Sequence, residues 1–546
     1  MIGYLDIETN LAHDTIWCCV VTDDVETQVY TDSRGLQEHL RKYDKIVGHN
    51  IIGFDAPVLR KVWNIQLTLK QVEDTLVLSR LLNPQLEGGH SLRAWGERLG
   101  DYKDDFTDFD GGLSDEMIEY CKQDVAVTRQ LHRHLLKELG EWTDASQSIE
   151  LEHYVAMIIN KQEQNGFKLD LQRATDLRNE ITGRMVDIEQ QLQEVFPPIV
   201  EERWSEKTGK RLKDKVTVFN VGSRKQIAER LQGLGVKFDK MTEKGSIIVD
   251  EPVLAGIDLP EAKLIAEYLM LQKRDGLLKA WLEAVKDDGR VHGRVITNGA
   301  VTGRMTHQSP NMGQVPSVKS PYGKDCRALW TVEEGNALVG CDLSGIELRC
   351  LAHYMQDDAY TKEILDGDIH TKNQEAAGLP TRDTAKTFIY ATLYGAGPAK
   401  IGSIVGGGAN EGKRLLDNFR KNTPALAKLI DRVKTIAQRG WLPALDGRRV
   451  IVRSEHAALN SLLQSAGAII AKEWCRVMHR QFGAKKIPVK QVAFVHDEIQ
   501  VEVAEEYAET VGQIMEQSAT IAGENLGFRC RVDAESKIGK TWFDTH

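Results

Sequence analysis

Two apolar segments that each carry a carboxylate at one end, far apart in the chain, limit the fold more than any other feature. In Ala337–Arg349, ALVGCDLSGIELR, the small and apolar residues from Ala337 to Cys341 read as a buried strand with Asp342 at its tip. Ser344-Gly345 form a break, and Ile346, Leu348, Leu351 and Ala352 begin an apolar-periodic helix. In Gln491–Val503, QVAFVHDEIQVEV, two apolar runs flank His496-Asp497-Glu498, which predicts a hairpin with acids at its tip. A carboxylate at the end of a buried strand is held rigidly, as a metal ligand must be. Asp342 and Asp497 are therefore expected to meet and hold two divalent ions about 4 Å apart, the spacing that clamps both oxygens of an in-line phosphoryl transfer. Taken singly, each acid has an ordinary alternative as a cap or turn residue.

A third segment lies between them. In Thr381–Gly397, TRDTAKTFIYATLYGAG, Arg382, Lys386, Tyr390 and Tyr394 recur every four residues and so share one helix face. Two cations and two phenols in a row make poor core but suit a triphosphate and a base. In this order, the acidic strand-turn-helix, the R-x3-K-x7-YG helix and the HDE hairpin resemble the three polymerase motifs of family A DNA polymerases.

The first 140 residues carry a second acidic set. Predicted strands at Ile2–Ile7, Trp17–Thr22, Thr27–Tyr30 and Ile46–His49, with a long helix at Asp115–Leu139, make an α/β domain. Asp6 and Glu8 stand two apart and share a strand face. Asp55 follows His49-Asn50, and Tyr120 and Asp124 lie one helical turn apart. The pieces DIET, HNIIGFD and YCKQD resemble proofreading exonucleases of the DEDD type, tyrosine subclass. That resemblance implies that Asp6, Glu8, Asp55 and Asp124 bind two Mg²⁺ and that Tyr120 orients the attacking water. Asp74, in EDTLVLSRLL, reads as a structural acid.

Composition adds bounds. At 546 residues the chain holds several domains, and 41% hydrophobic with 27% charged residues is ordinary globular usage. No apolar run reaches about 18 residues and no basic leader precedes the first strand, so neither a membrane span nor a signal peptide is expected. The eight cysteines form no C-x-x-C pair, which fits reduced thiols in the cytoplasm, that of a host cell if the chain is phage-encoded. A net charge of −10 does not exclude nucleic acid, because screening over about 8 Å makes a basic groove a local matter.

Together the resemblances imply an α/β and α+β multidomain chain, an RNase H-like exonuclease followed by a right-hand polymerase of palm, thumb and fingers. The divisions expected are exonuclease 1–140, linker and helical thumb 141–290, first palm part 291–355, fingers 356–455 and second palm part 456–546. Asn165-Gly166 break an apolar-periodic helix, Asp170 caps the next, and Leu264–Val285 is the returning thumb helix. The basic stretch Arg203–Lys215 is either a solvated loop or a contact to the DNA backbone. GGANEGKR, at Gly407–Arg414, is not a phosphate loop, because Arg414 replaces the required Ser or Thr and no strand precedes it. Stretches such as GAVTGRMTH and HAALN are similar to phage replicases of the T-seven type, which implies phage genome replication. Those relatives recruit thioredoxin through a long thumb insertion. The gap from Phe196 to Phe219 is too short for one, so thioredoxin is not expected, and any other processivity or helicase partner is left open.

The family pattern assigns roles by residue. Asp342, Asp497 and the Leu343 carbonyl hold two Mg²⁺, with Mn²⁺ as an acceptable substitute. Arg382 and Lys386 grip the β- and γ-phosphates, Lys386 also protonates the leaving pyrophosphate, and His370 adds a phosphate hydrogen bond. Tyr394 stacks near the templating base. Glu347 crowds the sugar 2′ position, which favours deoxynucleotides. Arg304, Gln464 and, more weakly, Arg327 reach the minor groove of the primer–template, His496 touches the primer terminus, and Glu498 lies behind the metal ligands. The substrates implied are primer–template DNA and deoxynucleoside triphosphates, acted on by a monomer. Two rival readings stay open, a single-subunit RNA polymerase and an exonuclease whose second half only binds DNA. Tyr390 stands where many relatives have Phe, and its hydroxyl can replace a missing 3′-OH contact. Tyr390→Phe is expected to incorporate dideoxynucleotides far less readily than the parent in a competition assay against deoxynucleotides; equal incorporation would refute that role.

Overall fold

A computed structural model describes residues 1–101, 106–242 and 244–546. The N-terminal sheet has five strands in the order Thr27–Tyr30, Ile16–Thr22, Ile2–Thr9, Lys45–Gly48, Val72–Asp74. The first three run antiparallel and the last two parallel to the centre. Side-chain alternation along Ile2–Thr9 sends Leu5 and Ile7 to one face and Tyr4, Asp6 and Glu8 to the other. Leu5 and Ile7 pack with Val21 and Ile46. Tyr4 packs with Val20, Val47 and, from the helix Asp115–Leu139, Cys121 and Val125. Asp6 and Glu8 therefore face the helix that carries Tyr120 and Asp124. Val72–Asp74 is a strand that periodicity did not suggest, since two of its three residues are acidic. Asp74 has the structural role expected of it. Its buried carboxylate caps the helix Thr75–Leu82 and accepts from the backbone N–H of Asn50 and Ile52 at 2.8 and 3.1 Å.

The helix Ser146–Asn165 leaves this domain and packs on the long helix Ala458–Ala484 and on the strand Lys490–Val495. At that junction four buried charges meet. Glu152 Oε1 lies 2.6 Å from Lys472 Nζ and 2.7 Å from Arg448 Nη1, and Arg448 Nη2 lies 2.6 Å from Asp446.

Helices Leu171–Val195 and Pro260–Ala284 pack as an antiparallel arm, pinned by Arg184–Glu267 and Arg178–Asp275 ion pairs at 2.7 Å. Asp170 caps the first of them, its carboxylate accepting from the Arg173 N–H. The basic stretch between the arms is a β-hairpin, Ile199–Trp204 with Arg211–Thr217, rather than a loop. Its cross-strand pairs, such as Glu201–Lys215, hold the register.

A four-stranded antiparallel sheet forms the floor of the C-terminal half, in the order Lys490–Val495, Glu498–Ala504, Asn336–Leu343, Ala534–Gly539. Helices Ala458–Ala484 and Ala508–Asn525 back it. Between its strands the chain makes a helical layer that includes Ile369–Ala377, Arg382–Leu393 and Ala409–Asn422. GGANEGKR joins two helices, Pro398–Ser403 and Ala409–Asn422, with no strand before it.

Breaking a buried pair from one side strands the other charge. Glu152→Gln leaves Arg448 and Lys472 sharing a single carboxylate, and a loss of about 3–5 kcal/mol in denaturant unfolding is expected. An unchanged unfolding midpoint would show that the cluster contributes nothing.

Candidate functional site

Antiparallel register places Asp342 directly across from Glu498, one residue from Asp497. The two segments are tied at their tips, where the Leu343 N–H donates to the Asp497 carbonyl at 3.0 Å. His496 adopts a left-handed backbone, φ 59°, and so makes the tight turn that presents Asp497. Burial raises the Asp342 carboxyl to about 7, with further push from the charges of Glu498 and Asp497. Burial likewise raises Asp497 to about 6, and Glu347 adds to it. Burial acts on Glu498 too, but hydrogen bonds from His546 and Trp542 and the Arg327 charge hold it below the ordinary range. Ligand atoms of Asp342, Glu498 and His546 lie within 4.8 Å of one another. Two neighbouring carboxyls that resist ionisation, Asp342 and Asp497, fit a divalent cation, which would offset both their burial and their repulsion.

Tyr390 and Tyr394, on the helix Arg382–Leu393 and at its end, lie near enough to this tip for the Asp497 charge to act on both phenols. Glu347, in the first turn of the helix Ile346–Met355, lies 3.8 Å from Arg304, and its charge helps burial raise the Tyr394 phenol. Tyr390 is pushed up to about 12 by burial, with the Glu347 charge next in size. Arg382 donates to Asp368 at 2.6 Å, and Asp368 also caps the helix Ile369–Ala377. His370 sits near Arg382 and Lys386, and burial and both cations lower its pKa. Its ring lies 6.5 Å from that of Tyr390. Gln464 donates to Asn460 at 2.9 Å.

Arg327 lies beside the acidic tip. It is buried, donates to the Pro316 carbonyl at 3.0 Å, stacks over Trp542 at 4.7 Å and reaches Glu498 at 3.7 Å. Its Nη1 is buried with no hydrogen-bond partner among the described residues, so part of the guanidinium stays uncommitted beside the acidic tip.

The N-terminal set also converges. Asp6, Glu8 and Cys121 place ligand atoms within 4.8 Å of one another. Asp55, at the start of the helix Asp55–Trp63, accepts from the Ile7 N–H at 3.2 Å, and burial with the charges of Asp74 and Asp124 raises it to about 7. The Tyr120 ring packs 5.6 Å from Phe106 and 6.3 Å from Phe109. His546 and Cys121 were missed by sequence reasoning. Cys121 sits on the face shared with Asp124 and could have been found by helical spacing; no motif signals His546.

A sequence model of DNA polymerase family A matches residues 190–544, and one of 3'-5' exonucleases matches residues 9–140. The chain is 37% identical to the DNA-directed DNA polymerase of Enterobacteria phage T3, covering 94% of both chains. It is 36% identical to that of Escherichia phage T7 over 99% of both, and 30% identical to DNA polymerase I of Aquifex aeolicus over 99% and 96%. The polymerase domain of Pol1 from M. smegmatis, solved with DNA primer-template and dNTP, superposes with a TM-score of 0.82 at 18% identity, covering 100% of this chain and 96% of that one.

A carboxyl whose folded pKa lies above its unfolded value of 3.8 costs the metal-free fold stability as pH rises through that window, here to about 7. Asp342→Asn is therefore expected to stabilise the metal-free protein against denaturant at pH 8, by an amount on the order of 3 kcal/mol, and to change little at pH 4. A destabilised variant at pH 8 would reverse the assignment.

Proposed function

The chain belongs to DNA polymerase family A and carries a 3'-5' exonuclease domain, and from that premise we propose how its residues carry out template-directed DNA synthesis and proofreading. It is a DNA-directed DNA polymerase. The observation that carries the residue assignment is the pairing of Asp342 beside the Asp497 tip, each carboxyl raised by burial and by neighbouring negative charge. Both domain types use divalent metals. Asp342, Asp497 and the Leu343 carbonyl are the proposed ligands at the polymerase site, and Asp6, Glu8, Asp55 and Asp124 at the exonuclease site, for Mg²⁺ or Mn²⁺, two ions at each. When bound, the metal supplies Lewis acidity to the 3′-hydroxyl and neutralises the triphosphate.

Arg382 exchanges Asp368 for the β- and γ-phosphates, which it can grip by two parallel N–H bonds. Lys386 protonates the departing pyrophosphate, and His370 donates to a phosphate oxygen. Glu347, beside Tyr394 and Arg304, closes the sugar pocket at the 2′ position. Tyr390 meets the 3′ side of the sugar and Tyr394 the templating base. Arg304 and Gln464 read minor-groove acceptors that every base pair presents, so they check pair shape and not sequence. His496 contacts the primer terminus. In the exonuclease domain Tyr120 orients the attacking water.

The domain boundaries proposed are those given above for exonuclease, thumb, palm and fingers. Primer–template DNA and deoxynucleoside triphosphates are the substrates, taken by a monomer in the cytoplasm. The hairpin at the arm is too small to carry a thioredoxin-recruiting module, so synthesis without thioredoxin is part of the proposal.

One gel tests both sites. With a 5′-labelled primer–template and Mg²⁺, extension is expected with deoxynucleotides and shortening without them. Asp342→Ala is expected to abolish extension and spare shortening, and Asp6→Ala to do the opposite. Shortening alone from the parent chain, with ribonucleotides or deoxynucleotides present, would overturn the polymerase assignment.

A further inference from the structure

Arg304 sits on a short loop between two strands, Arg294–Ile296 and Thr306–Gln308. The loop holds itself by little. Ala300 N–H donates to the Arg304 carbonyl at 3.1 Å and Gly303 N–H to the Ala300 carbonyl at 2.8 Å. Its other anchors come from elsewhere. The Asn298 amide, buried at the loop's start, donates through Nδ2 to the Arg80 carbonyl at 2.9 Å. Arg80 is in the last turn of the exonuclease helix Thr75–Leu82. Asn298 Oδ1 is buried with no hydrogen-bond partner among the described residues, so the bond to Arg80 alone orients the amide.

At the loop's far end Gly303, at φ +78°, lies against Arg448; a Cβ there would stand 2.9 Å from Arg448 Nη1 and 3.2 Å from Asn298 Oδ1. Arg448 is itself fixed by Glu152 of the helix Ser146–Asn165. The same helix reaches the adjacent strand, where Glu163 accepts from the Val295 N–H at 2.6 Å.

We propose that Asn298 is a positioning residue for polymerase selectivity: it fastens the Arg304 loop to the exonuclease domain, with Arg448 as the second support. The exonuclease domain is then a wall of the polymerase site, and the polymerase reads the primer terminus accurately because that wall holds its sensing arginine. The proposal rests on the polymerase reading above. An arginine carries many rotamers, so its use as a geometric gauge depends on where its backbone is held. Displacement of a positioning group by about 1 Å is enough for a 100-fold effect.

The test measures single-nucleotide extension of matched and mismatched primer termini in an Asp6→Ala background, where trimming cannot hide the result. Asn298→Ala is expected to lower the matched-to-mismatched ratio of kcat/KM by between about 10- and 100-fold. Arg304→Ala should do the same, and the double variant should lose no more than Arg304→Ala alone, since both remove one function. In the exonuclease-proficient background, Asn298→Ala should digest single-stranded DNA at the parent rate, which shows the variant folded. Arg448→Lys, with a shorter reach to Glu152 and Gly303, should shift the ratio in the same direction. An unchanged ratio in Asn298→Ala, or a full additional loss in the double variant, overturns the proposal. Failure of the Asp6→Ala parent to extend a matched primer would instead sink the polymerase reading beneath it.

Discussion

Burial of neighbouring carboxylates at the tip of the palm sheet, with their mutual repulsion added, is the constraint on which the rest of the site depends. Antiparallel pairing obliges Asp342 and Glu498 to sit as cross-strand neighbours, and the turn at His496 adds Asp497 beside them. Such a group is stable only if some of its charge is met from within. The protein meets that of Glu498, through Trp542, Gln500, His546 and Arg327. Among the described residues no side chain donates a hydrogen bond to Asp342. The compensation is therefore uneven: one acid is made structural by its partners, and the adjacent pair is not, which is the charge the proposed cation would meet. Arg327 belongs to this division, a buried cation placed against Glu498.

The exonuclease site answers the same problem differently. Asp74 takes three backbone N–H groups and becomes a scaffold for the loop that precedes Asp55, while Asp55 itself is left with a strongly raised pKa. In both halves, one buried acid takes several donors while a neighbouring one is held in a fixed place with its carboxyl pKa still raised. Ordinary stability favours pairing every buried charge. A cluster that departs from it beside a fully paired acid marks a site built for a ligand.

Much of this could be read from sequence. The acids came in motifs whose spacing matches a strand face, a hairpin tip or one turn of helix, and short-range spacing is what a sequence displays. The helix faces of Asp115–Leu139 and Arg382–Leu393 and the strand before Asp342 followed from periodicity alone. What was not legible lay in contacts between distant segments. The Arg80–Asn298 bond joins residues 218 apart, and Glu152 and Lys472 are 320 apart. No local pattern marks either. The basic stretch was misjudged for a related reason: its Glu201–Lys215 pairing across the turn makes a hairpin out of residues whose charge alone suggested a loop.

The fingers present a last consequence of charge placement. Arg382 and Asp368 form a pair with both side chains roughly half exposed, and Asp368 is simultaneously occupied as a helix cap. An exposed pair of this kind is weak, because water and salt compete for both partners. A triphosphate would offer Arg382 more charge and a bidentate geometry, the exchange proposed above. Asp368 loses nothing essential when Arg382 leaves, since its hydrogen bonds to the His370 N–H and the Thr371 hydroxyl remain. The helix that carries His370 thus stays capped while the arginine changes partners, and His370 keeps its place beside Lys386. Arg382 is held in readiness by a contact weak enough to give up, on a scaffold that does not need it.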